Sequence, residues 1–189
     1  GLWIISDEVY EDFVYEGEHT WCRPLAPERT FSLYSFSKAY GRAGNRCGYI
    51  IGPPGSKWMG AIRKVSTHSF YSVPTASQIA ASRVLRDQTG WLGAASAAYQ
   101  EAGYAAAQRL GISAPEGGTF LFINVASHLD ELGLQGFLET CIDRGLILAP
   151  GTSCGAHYAD HVRLCFTSAP PDVTARGVEV LAGILGISS

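Results

Sequence analysis

The sequence predicts an α/β protein: a mainly parallel sheet with helices, followed by a small α+β C-terminal domain. Three observations carry that expectation. Short apolar runs in the first third (GLWIISDEVY, TFSLYSFS and CGYIIGPP) read as buried strands, the first delivering acids and a tyrosine at its C-terminal end. The stretch AASAAYQEAGYAAAQRLG, residues 94–111, is alanine-rich and reads as one long helix. Beyond it the texture changes to single strands and helices separated by turn signals.

Taken in order, GLWIIS forms the first strand and ends in DEVY, TFSLYSFS the second, and CGYIIGPP the third, stopped by Pro53 and Pro54. All three are expected to run parallel. KWMGAIRKVSTHS reads as a helix with a mixed face. After the break at Val73 and Pro74, TASQIAASRVLRDQ, residues 75–88, carries small and apolar residues at helical spacing. Past the long helix, the turn PEGG leads into the strand TFLFINV, and LQGFLETCIDRG is an amphipathic helix with a glycine stop. LILAP and VRLCFTS are two further strands, and DVTARGVEVLAGILG is a closing helix started by Asp172. These elements divide the chain into residues 1–93, a connecting helix over 94–111, and a small domain over 112–189. Gly1 already stands inside a strand-like run, and three strands alone leave the faces and edges of a doubly wound sheet uncovered. The chain is therefore expected to be the C-terminal part of a larger protein.

With 189 residues, 47% of them hydrophobic, the chain has enough apolar material for a core, at roughly 100 to 200 residues per domain. A net charge of −3 offers no basic face, which argues against nucleic acid as a direct partner. No apolar run approaches the ~20 residues of a membrane span, and the N-terminus lacks the basic start of a signal peptide. A soluble, cytoplasmic protein without membrane contact is expected. Cys22, Cys47, Cys141, Cys154 and Cys165 are odd in number and form no CxxC pair, so no metal site is expected and buried free thiols are the simplest reading.

The chemistry gathers in two segments. DEVY places Asp7 and Tyr10 three residues apart, and SFSKAYGRAGNRCGY, residues 35–49, sets Lys38 after Ser35 and Ser37 and ahead of Gly44 and Arg46. Alone, DxxY is a turn acid followed by a core tyrosine, and SxSK is a solvated turn. Together they supply an amine, a carboxylate, a phenol, hydroxyls and a guanidinium. A hydroxyl beside an arginine fork suits a phosphate dianion. Drawing electrons from the α-carbon of an amino acid needs a sink that side chains lack and pyridoxal phosphate supplies. That cofactor needs a lysine for its aldehyde, an acid at the pyridine nitrogen, a donor to the phenolic oxygen, and phosphate ligands.

These segments resemble fold type I pyridoxal-phosphate enzymes, specifically class I/II aminotransferases of the aspartate aminotransferase superfamily, over essentially the whole chain and corresponding to the C-terminal half of such enzymes. The resemblance implies pyridoxal 5'-phosphate as cofactor, Lys38 as the residue of the internal aldimine and the proton shuttle, Asp7 at the pyridine nitrogen and Tyr10 at the phenolic oxygen. It implies Ser35 and Arg46 as phosphate ligands. YSVPTASQIAA resembles the family segment entering the helix after the cofactor domain, PEGGTFLF the turn opening the small domain, and APGTSCG the loop before the final strand. VRLCFTS then puts Arg163 where the family grips the substrate α-carboxylate, and a planar guanidinium suits that group.

The resemblance also implies an aminotransferase acting on an L-amino acid and a 2-oxo acid, as a homodimer or with a complementary chain supplying the N-terminal half. Elimination, decarboxylation or cyclisation with the same cofactor, or an aminotransferase-like effector domain of a regulator, are the alternatives. Tyr40, Tyr71, His68 and His157 are secondary candidates near substrate. Arg63 falls in a predicted helix, so nothing singles out a dicarboxylate substrate.

Overall fold

In the computed structural model, which describes residues 1–86 and 90–188, strand β1 (Ile4–Asp7) runs parallel to β2 (Thr30–Ser35). The register sets Ile4 opposite Thr30 and Asp7 opposite Leu33. A turn and the short helix α1 (Cys22–Leu25) connect them. The sequence suggests a third parallel strand, but β3 (Gly48–Ile51) runs antiparallel to β2, with Gly48 opposite Ser35 and Ile51 opposite Ser32. The connection explains the correction. Residues 36–47 hold only a 3-10 turn at Ala43–Asn45, and a parallel crossover is usually carried by a helix across the sheet. Gly48 permits the close pairing, because a Cβ there would stand 2.5 Å from the Tyr34 carbonyl oxygen.

Strand alternation separates two faces of this sheet. One carries Thr30 and Ser32, both buried, with the Thr30 hydroxyl donating to the Ala26 carbonyl at 2.7 Å. The other carries Asp7, Leu33 and Ser35. Helix α2 (Lys57–Ser69) starts at Ser56, whose hydroxyl accepts the Trp58 N–H at 3.2 Å. Helix α3 (Thr75–Arg86) follows Pro74; the sequence pattern extends it over residues 87 and 88, which lie outside the described residues. The chain separates into two units, Gly1–Ser96 and Ala97–Ser189. In the first, the buried hydrophobic residues among those described are Phe13, Ala26, Phe36, Ala39 and Ala81.

Helix α4 (Trp91–Leu110) begins three residues before the alanine-rich stretch and carries the boundary between the units. In the second unit, β4 (Phe120–Asn124), β6 (His161–Cys165) and β5 (Ala149–Pro150) form an antiparallel sheet with β6 in the middle. Leu121 and Ile123 of β4 and Val162 and Leu164 of β6 share its buried face. Phe137 and Cys141 of α5 (Gly133–Asp143), Val178, Leu181 and Ala182 of α6 (Pro171–Ile184), and Ala106, Ala107 and Leu110 of α4 supply further core. Each large side chain withdrawn from water here contributes roughly 1.5–3 kcal/mol. Gly103, inside α4, sits where a Cβ would lie 2.9 Å from Phe166 Cζ, so the helix accepts a poor helix former in exchange for close packing.

Three further expectations change. LILAP narrows to the two paired residues of β5: Leu146 N–H turns back to the Cys141 carbonyl at 2.8 Å, and Pro150 has no N–H to donate to a ladder. Asp172 is not the cap of α6. Pro170 occupies that position and Pro171 opens the helix, leaving Asp172 in the first turn, paired with Arg176 at 2.8 Å. Of the free cysteines, Cys141 is buried, Cys22 and Cys47 are half-buried, and Cys154 and Cys165 are exposed. Cys165 alternates outward beside Arg163 while its apolar neighbours Leu164 and Phe166 turn inward. No described helix is long and apolar enough to cross a membrane.

Candidate active site

The parallel pairing of β1 with β2 brings the two chemistry-bearing segments together at the C-terminal ends of both strands. Glu8 N–H donates to the Leu33 carbonyl at 2.9 Å, so β1 ends beside β2 two residues before Ser35. Asp7 and Ser35 share one face. Asp7 is exposed, and its carboxylate accepts the Val9 N–H at 3.3 Å. The chain then turns tightly: Glu11 N–H donates to the Glu8 carbonyl and Phe13 N–H to the Tyr10 carbonyl, each at 3.0 Å, with Phe13 buried beneath.

The segment after β2 is a loop pinned at two apolar points. Phe36 and Ala39 are buried, and exposed Lys38 stands between them. The Ser35 hydroxyl accepts the Ser37 N–H at 3.1 Å, the Arg42 N–H reaches the Phe36 carbonyl at 2.9 Å, and Gly41 takes φ +59° to close the curl. The loop delivers the Lys38 ammonium to 5.5 Å from the Tyr10 ring centroid, within cation–π range. Arg46 closes the 3-10 turn in the left-handed conformation, φ 49° and ψ 48°, and its exposed guanidinium donates to the Ala43 carbonyl at 2.9 Å.

Aromatic rings gather at the same end of the sheet, with Tyr34 and Tyr49 on the face of Thr30 and Ser32. Tyr34 and Tyr49 stack with centroids 4.7 Å apart, and Phe36 lies 5.5 Å from Tyr40 and 5.9 Å from Tyr49. Burial, reinforced by Glu11, holds the Asp12 carboxyl above its ordinary range. Burial first, and then Asp12 and Glu11, push the Tyr40 hydroxyl up; burial and Glu11 do the same for Tyr49. Both phenols therefore keep their protons at neutral pH. A pocket of about 20 Å³ lined by Glu8, Asp12, Ser35 and Tyr40 among others has room for about one water.

In the second unit, Arg163 stands on the open face of the sheet, opposite Phe122 across the ladder, with its guanidinium 5.2 Å from the Phe120 ring centroid. His161 stacks on Phe122 at 4.8 Å, and Tyr158 meets Phe122 edge-on at 5.0 Å. Arg163 also lines a cavity of about 740 Å³ with Ile147, Cys165, Ser168 and Val173.

Asp7, Tyr10, Ser35 and Lys38 thus gather at one end of the first sheet, Arg46 closes the turn that follows Lys38, and Arg163 presents itself separately on the second. Of the secondary candidates, Tyr40 joins the aromatic cluster through Phe36. His68, Tyr71 and His157 are exposed, Tyr71 at φ 61°. The sequence reasoning missed Glu8, which is 3% exposed, and its partner His19, whose Nε2 lies 2.7 Å from Glu8 Oε2. The signal was available: Ser6 and Glu8 take the inward phase of β1, and a charged residue in an inward phase requires a partner.

Solved structures with the same architecture include aminotransferases. Aspartate aminotransferase from Thermus thermophilus, in a structure with maleate, superposes with a TM-score of 0.82 at 28% identity, covering 96% of this chain and 48% of that one. The aromatic aminotransferase of Pyrococcus horikoshii, at 24% identity, shares the fold with a TM-score of 0.89 over 98% of this chain and 51% of that one. Among curated proteins, aspartate/prephenate aminotransferase of Thermus thermophilus is 30% identical over 98% of this chain and 48% of its own length. Arginine–pyruvate transaminase of Pseudomonas aeruginosa is 30% identical over 86% of this chain and 43% of its length. The class is therefore that of fold type I pyridoxal-phosphate transferases. Residues 1–181 match the family described as aminotransferase class I and II, and the chain belongs to that family. It spans about half the length of the relatives it matches.

Proposed function

We propose that the protein is a pyridoxal 5'-phosphate-dependent aminotransferase moving an amino group between an L-amino acid and a 2-oxo acid. The observation that carries this is the Lys38 ammonium held 5.5 Å from the Tyr10 ring, on a loop adjoining the sheet face that Asp7 and Ser35 share. The donor set fits the cofactor. A carboxylate for a protonated ring nitrogen, a phenol for the ring oxygen, a hydroxyl and guanidinium for a phosphate, and an exposed primary amine for an aldehyde are all present. Nothing apolar is asked to bind charge.

When bound, pyridoxal phosphate supplies the sink for the electrons left on the substrate α-carbon as its proton departs. This chain's residues do the rest. Asp7 holds the proton on the pyridine nitrogen, Tyr10 donates to the phenolic oxygen, and Ser35 and Arg46 bind the phosphate, Arg46 exchanging its bond to the Ala43 carbonyl for a charged partner. Lys38 Nζ would hold the cofactor through its aldehyde and would serve as the base that moves the proton to and from the substrate α-carbon. Arg163 binds the α-carboxylate bidentately. In this reading residues 1–93 belong to the cofactor domain, 94–111 connect, and 112–189 form the small domain of a cytoplasmic, dimeric enzyme.

Lys38→Ala in the complete polypeptide is expected to remove the cofactor absorbance and all turnover of amino acids with 2-oxoglutarate, while circular dichroism stays unchanged. Full turnover by that variant, or release of ammonia in place of glutamate by the wild type, would overturn the proposal.

A further inference from the structure

We propose that Glu8 and His19 are positioning residues for Asp7, holding its carboxylate where the cofactor ring nitrogen is met; the inference rests on the cofactor role of Asp7 given above. Asp7 is exposed and, among the described residues, takes one long bond, from Val9 N–H at 3.3 Å, so these contacts do little to aim it. The next residue is fixed on every side. Glu8 Oε1 accepts the Ser6 hydroxyl at 2.7 Å and Oε2 meets His19 Nε2 at 2.7 Å. Its N–H donates to the Leu33 carbonyl and its carbonyl accepts the Glu11 N–H. Successive strand side chains face opposite ways, so locking Glu8 inward locks Asp7 outward.

A second link braces the same turn. Gly17, at φ +72°, turns the chain back, and Trp21 Nε1 donates to Glu11 Oε2 at 2.5 Å. The His19 and Trp21 rings meet edge to face at 5.0 Å. Residues 19 and 21 thus grip the acids on either side of Tyr10. Burying a carboxylate is costly unless its oxygens are bonded, and an apolar side chain would fill the space more cheaply. Directional bonds to a buried Glu8 give what packing alone does not, a defined orientation for its neighbour.

The test is a double-mutant cycle on the apoprotein of the complete polypeptide, reading the dissociation constant for pyridoxal 5'-phosphate by absorbance titration. Glu8→Gln is expected to weaken binding about tenfold in the wild-type background and less than about twofold when Asp7→Asn is already present. Should Glu8→Gln fail to fold, His19→Gln, on the part-exposed side of the pair, runs the same cycle with the same expectation. Equal losses in both backgrounds, or no loss in either, overturn the positioning role while leaving the cofactor assignment standing. A wild-type protein that binds no pyridoxal phosphate overturns the cofactor assignment, and this inference with it.

Discussion

One face of the three-stranded sheet in the second unit is closed off by hydrocarbon, and Val162, Cys141 and Leu181 keep no exposed surface. The first unit's sheet buries the hydroxyls of Thr30 and Ser32, while Ile5 is 73% exposed and Ile50 40%. One unit spends its sequence on packing, the other on placing polar groups at the ends of strands. Stability should then be far more sensitive to truncation in the second unit. Leu181→Ala is expected to cost about 2–5 kcal/mol in urea unfolding, whereas Ile5→Ala should stay within about 0.5 kcal/mol. Similar losses at the two positions would erase the contrast.

The same contrast governs what the sequence could convey. The second unit was legible because its signals are local: alternation in TFLFINV and VRLCFTS, and helical spacing in LQGFLETCIDRG, each match an observed element. Departures came where local signals compete, as at Pro170 and Pro171, whose fixed backbone takes the helix start from Asp172. In the first unit the residue types of the candidate site stood out as DxxY and SxSK, but the direction of β3 did not. Direction depends on what the connection can span, and residues 36–47 read as a turn-rich stretch in either case. Glu8 could be read only as an inward charge in need of a partner, and which residues would partner the acids of this turn stayed hidden for a similar reason. Their bonds join positions ten and eleven residues apart across a loop with no periodicity.

A smaller effect tests the polar side of the comparison. Ser32 Oγ is buried with no hydrogen-bond partner among the described residues. A buried hydroxyl left unsatisfied costs about 1–3 kcal/mol, so Ser32→Ala should be neutral or stabilising by up to about 1 kcal/mol after the lost packing is counted. Thr30→Ala, which removes a 2.7 Å bond to the Ala26 carbonyl and leaves that oxygen with the longer Arg29 N–H bond at 3.3 Å, should destabilise. If the two variants respond alike in urea unfolding, the buried hydroxyls of this sheet are not distinguished by their bonding.

Acid should separate the units by the sign of its effect. In the second unit, hydrogen bonds from His161 to Asp160, Arg176 to Asp172 and Arg109 to Glu179 hold all three carboxyls below the ordinary values of 3.8, 3.8 and 4.5. A carboxyl depressed by folding contributes stability above its unfolded value and loses it as pH falls through its folded value. These contributions therefore fade below about pH 4.5. Asp12, in the first unit, is raised above 3.8 by burial and Glu11. Its charged form is penalised at neutral pH, and that penalty disappears once it protonates. Acidification thus withdraws support from the second unit while relieving strain in the first, by small amounts, because the three bonded carboxyls are solvent-exposed and screened. Carboxyl carbon titrations by NMR should place the midpoint of Asp12 above 3.8 and that of Asp160 below it. An Asp160 midpoint at or above 3.8 would mean that the His161 bond does not persist in solution, and the opposite signs of the two units would be lost.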